Sequence, residues 1–95
     1  MTVAERRKTI VSKEALDVGQ RWVEALREEL KKEGRPVEGG WPGTLSEARA
    51  RVDGAISRVL AKHRLAVLSS EELSLAARAA YDHARRTWLA LPERW

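Results

Sequence analysis

The apolar positions of the chain fall into three stretches of helical period, with no stretch of alternating period among them. In the first, Ala15, Leu16, Gly19, Trp22, Val23, Leu26 and Leu30 recur three or four residues apart, which places them on one face of a helix with 3.6 residues per turn. Leu45, Ala48, Val52, Ile56, Val59, Leu60 and His63 form the second stripe, and Leu73, Ala77, Ala80, Ala84, Trp88 and Leu91 the third. Start and stop signals bracket each one. Ser12 is placed to cap the first helix, with Val11 and Leu16 at the spacing of a hydrophobic staple, and Thr44 with Glu47 and Ser69 with Glu72 have the spacing of capping boxes. Lys31 and Lys32 followed by Gly34 suit the end of the first helix, and Pro92 opposes continuation of the third.

These signals predict an all-α protein, a three-helix bundle with helices over about 13–33, 45–64 and 70–91 within a single domain spanning residues 1–95. Helices of such length reach roughly 30 Å at 1.5 Å per residue. The short link between the second and third favours antiparallel neighbours. The first and second are joined by the longer GRPVEGGWPG, residues 34–43, whose glycines and prolines exclude regular structure. Residues 1–11 are expected to be an extended or flexible arm, because Thr9, Ile10 and Val11 are β-branched.

Composition narrows the function more than it names it. A chain of 95 residues buries only roughly 60 to 70% of its unfolded surface, so a roomy active-site cleft is not expected. With 43% hydrophobic and 34% charged residues it reads as a globular, cytoplasmic protein, without an apolar run of membrane-spanning length or a secretory leader pattern. The absence of cysteine excludes disulfides, thiolate metal sites and thiol catalysis. No phosphate loop, zinc-ligand spacing, nucleophile elbow or dinucleotide fingerprint occurs, so no enzyme, metal, cofactor or small-molecule substrate is predicted. His63 reads as a packed or capping histidine near a helix end, and His83 as a boundary residue whose neighbour Asp82 does not face it. The arginine- and alanine-rich composition suits a GC-rich bacterial or phage origin.

What remains is surface. The net charge of +4 is concentrated in residues 1–12 and 44–64. Arg6, Arg7 and Lys8 lie in the first of these, while Arg51, Arg58 and Lys62 share a narrow arc of the second helix, a spacing able to follow a phosphate backbone. Beside that arc, Ala50, Gly54, Ser57 and Ala61 line up opposite the core stripe, a row of small side chains that lets another helix approach closely and that, flanked by Arg51, Arg58 and Lys62, would form a groove suited to a self-partner or to an acidic helix. Gly54 is the telling member, since glycine inside a helix costs about 1 kcal/mol relative to alanine. Leu75 and Leu89 point away from the alanine-rich stripe of the third helix. Of the four tryptophans, Trp22 and Trp88 belong to core stripes and Trp95 is terminal, whereas Trp41 sits between Gly40 and Pro42 and reads either as a plug for the end of the bundle or as a displayed anchor. The expectation is therefore a non-enzymatic protein–protein interaction module, either a homodimer or an adaptor or regulatory subunit. Trp41, Ala50, Gly54, Ser57, Ala61, Leu75 and Leu89 are its contact candidates, and nucleic-acid binding through the two basic clusters is the alternative.

Overall fold

The computed structural model describes residues 2–34 and 40–91. Residues 35–39 of the expected first loop, and the expected stop at Pro92 and the terminal Trp95, lie outside them. Among the described residues there are three helices and no strand: α1 (Val3–Lys32), α2 (Leu45–Lys62) and α3 (Ser70–Leu89). The N-terminal ends of α1 and α3 meet where Arg7 bonds Glu72, and Arg6 reaches His63 at the far end of α2. α1 and α3 therefore run parallel and α2 runs antiparallel to both. A helix of 30 residues is roughly 45 Å long, and α1 accordingly sets the 46 Å long dimension of the molecule.

α1 starts ten residues before its expected first residue. The segment predicted as an extended arm is helical from Val3, and Ser12 lies inside the helix rather than at its cap. The cap is Thr2, whose hydroxyl accepts from the Glu5 amide 3.1 Å away. Thr2 and Glu5 repeat the T-x-x-E spacing of Thr44 and Glu47. The β-branched residues were no obstacle, because the tertiary contacts of Ile10 and Val11 against the core outweigh a propensity deficit of a few tenths of a kcal/mol each.

The other ends follow the local signals closely. Thr44 accepts from the Glu47 amide, and Ser69 and Glu72 form a complete reciprocal capping box. Gly34 takes a left-handed φ of 68° just past the end of α1. α2 stops at Lys62, two residues earlier than expected, since Arg64 adopts a φ of 57° and its amide donates to Ala61 while Leu65 donates to Leu60. This 6→1 and 5→2 pair is a Schellman arrangement, and it turns Leu65 back onto the core. α3 likewise ends at Leu89, two residues earlier than expected, with Ala90 as its cap.

The core runs the length of the bundle in two groups. Ala15, Val18, Val52, Ile56, Leu60, Ala76 and Ala80 fill one half, and Trp22, Val23, Ala48, Ala77, Ala84 and Trp88 the other. Leu16, expected on the buried stripe, is 44% exposed, and Val18 is buried in its place. α1 packs against two helices at once, so its buried arc is rotated toward α2 relative to a stripe read for a single partner. Alanines on α3 let α1 come close. A Cβ built on Gly19 would stand 2.7 Å from the Ala80 carbonyl oxygen, so only glycine fits there.

Candidate interaction surface

At one end of the bundle the tryptophans settle what the loop between α1 and α2 does. Trp41 turns inward, with its ring centroid 4.7 Å from Trp22 and 5.5 Å from Trp88, both edge to face. Gly43 makes this possible, since a Cβ there would lie 2.5 Å from Trp22 and 2.6 Å from Trp41. Trp41 thus plugs the bundle and is no displayed anchor. The indole N–H groups of Trp41 and Trp88 are buried without a partner among the described residues.

The opposite end carries a groove of about 650 Å³ between α1 and α3. Val11, Ala76 and Ala79 form its base, and Leu16 and Leu75 stand along it, Leu75 with 67% of its surface exposed. Lys8 and the Arg7–Glu72 pair close the N-terminal end. The helical start of α1 creates this groove. An extended arm would have left only the α3 side, which is why the sequence shows Leu75 but not Leu16 or Val11 as a member.

Arg7 and Glu72 lock that end. Arg7 donates to both carboxylate oxygens of Glu72, the Nη2 bond measuring 3.0 Å, and also to the carbonyls of Ala66 and Val67. Glu72 in turn accepts from the Ser69 amide. The guanidinium of Arg7, followed by the Ser69 N–H, holds the Glu72 carboxyl down from 4.5 to about 2, and Glu72 raises Arg7. A depressed acid binds fewer protons in the folded state, so its contribution is full above about pH 4.5 and fades as pH falls through about 2. Because the Glu72 side chain remains 41% exposed, the effect is local. The Ser69 amide and Arg7 Nε resonances are expected to move together over that window in the wild type and to stay flat in Glu72→Gln; a flat wild-type titration would refute the lock.

Of the remaining candidates, Ala50, Arg51, Gly54 and Arg58 line a common groove between α1 and α2, and the others are dispersed. Arg6 donates to His63 Nδ1 at 3.1 Å, Arg7 is engaged inside the fold, and Lys8 is exposed. His63 caps α2 on the exposed side, and His83 Nε2 lies 3.2 Å from Gln20 Oε1. Arg51 lies over the Trp22 ring, Arg58 donates to the Gly54 carbonyl, and Lys62 is exposed in the last turn of α2. Along the small-residue row, Ala50, Gly54 and Ala61 are exposed, and Ser57 is half-buried and bonded to Asp53. A Cβ on Gly54 would meet nothing within 4 Å. Leu89, 54% exposed, is outside the α1–α3 groove.

Among the described residues no group of His, Asp or Glu is arranged to hold a metal ion, and no helix is long and apolar enough to cross a membrane. The fold and surface define a class, an all-helical three-helix protein with an apolar groove on one face. No family model, curated protein or solved structure matches the chain.

Proposed function

We propose that this chain is a small non-enzymatic interaction module of the cytoplasm, acting as a homodimer or as an adaptor subunit, that engages its partner through the α1–α3 groove. The observation that carries the reading is the gathering of Leu16, 44% exposed, and Leu75, 67% exposed, over an apolar base, where burying what remains of each leucine would contribute on the order of 1–2 kcal/mol. The Arg7–Glu72 lock holds both helix ends in place before a partner arrives, which lowers the ordering cost of binding.

Sedimentation velocity of the wild type and of Leu75→Asp tests the homodimer form, and affinity capture from the host with the same two baits tests the adaptor form. Either a dimer dispersed by Leu75→Asp, or a monomer whose specific partners are lost on that substitution, supports the reading. A monomer whose captured proteins are the same with both baits would sink it.

A further inference from the structure

Between α1 and α2 lies a second groove, of about 460 Å³, and its chemistry differs from the first. Its floor is small or apolar, with Ala25 from α1, Ala50 and Gly54 from α2, and Trp22 beneath. Three guanidinium groups, those of Arg21, Arg51 and Arg58, stand along it, and no carboxylate is among its described lining residues. Ser57 and Ala61 lie outside it, so the groove is a product of two helices and not the small-residue row of α2.

The guanidiniums are held in position. Arg51 sits 5.1 Å from the centroid of the buried Trp22 ring, Arg58 Nε is 3.3 Å from the Gly54 carbonyl oxygen, and Arg21 is 2.8 Å from Glu14. Arg21 is therefore neutralised, whereas Arg51 and Arg58 form no ion pair among the described residues. Two oriented, unpaired guanidiniums beside an apolar floor match a ligand that offers carboxylates next to small apolar groups.

We infer that this groove docks an acidic amphipathic helix of another protein, its small side chains against Ala25, Ala50 and Gly54 and its carboxylates on Arg51 and Arg58. Packed helices lie 8–10 Å apart, at the near end of that range where the contact residues are small, and a fourth helix laid here would complete a four-helix bundle. Gly54 then has a reason to be glycine. In the isolated chain it meets nothing, so its cost in helix stability gains nothing within the monomer. A second copy of the chain is a poor match. Its exposed Leu75 and Leu89 share their face of α3 with Arg78, Arg85 and Arg86, which outnumber Glu71 and Asp82 there, and Asp82 is already paired with Arg78. A nucleic acid would set phosphates against an apolar floor.

The test is an amide-shift titration of the isotope-labelled full chain, at low salt, with a helical peptide built from repeats of Ala-Glu-Ala-Ala-Leu-Glu-Ala. Saturable shifts at Val18, Ala25, Ala50, Gly54 and Ala55 are expected, with affinity falling at least ~10-fold in Arg51→Glu/Arg58→Glu, as for truncated charge pairs at interfaces. Gly54→Leu should weaken binding as strongly while the chain still melts at or above the wild-type temperature, since the site of its Cβ is open. Leu75→Asp should leave the titration unchanged, which separates this groove from the α1–α3 surface. The inference is overturned by the absence of saturable shifts, by shifts elsewhere, by equal binding of the Lys-for-Glu peptide, by tighter binding of a short DNA duplex, or by insensitivity to the variants.

Discussion

Replacing Gly19 with alanine is expected to lower the stability of the bundle by about 2 kcal/mol, whereas the same replacement at Gly54 raises it by about 1 kcal/mol. Both glycines lie inside helices, so the intrinsic preference for alanine favours both substitutions equally. Packing decides the sign. At Gly19 the new methyl would meet the Ala80 carbonyl oxygen at 2.7 Å and His83 Cδ2 at 3.2 Å, and the carbonyl belongs to the backbone of α3, which cannot rotate aside. α1 and α3 must separate, and with them the contacts of Ala15 and Ala84 loosen. At Gly54 the methyl points into open space. Urea denaturation of the two variants should displace the midpoint in opposite directions, and thermal melting by roughly 4–8 °C per kcal/mol for a domain of this size. A Gly19→Ala variant as stable as the wild type would mean that α1 and α3 lie further apart than described.

The contrast between those glycines also shows what a single sequence conveys. Glycine in a helical stretch signals something unusual at both positions, but the direction of the effect depends on which face meets a neighbour. Signals confined to a few residues were legible: the caps at Thr44 and Ser69 and the left-handed Gly34 each need only their own turn. The start of α1 was in principle legible as well, since Thr2 and Glu5 carry the same spacing as Thr44 and Glu47. The β-branched run that argued against it is overridden by contacts distant in sequence, among them Arg7 with Glu72 at a separation of 65 residues. Of the two grooves, only the α2 side of the second, Ala50 and Gly54 beside Arg51 and Arg58, was legible; the pairing of helices that completes either one was not. Leu16 and Leu75, or Ala25 and Gly54, become neighbours only once the rotation of one helix about its axis is fixed against another, and no local pattern encodes that angle.

Trp22→Ala should be the most damaging single change in the described chain, costing roughly 3–5 kcal/mol. Trp22 is 1% exposed and takes part in three contacts of different kinds. It packs in the tryptophan-bearing half of the core, meets the edge of Trp41, and supports the Arg51 guanidinium. Its removal leaves a cavity that cannot collapse easily, because Gly43 brings the loop against the ring from one side and Trp88 bounds it through Trp41 on the other. Small domains have total stabilities on the order of 5–15 kcal/mol, so the loss is a large share of what holds this fold together. The near-ultraviolet dichroism of the remaining indoles should collapse, while helical far-ultraviolet signal persists longer, as caps and propensity keep the helices partly formed. Trp22→Phe keeps an apolar ring in the same space and is expected to recover more than half of the loss. A Trp22→Ala variant that unfolds within about 1 kcal/mol of the wild type, well below the range for truncating a buried aromatic, would show that Trp41 closes the bundle without it. Gly43 would then need another explanation.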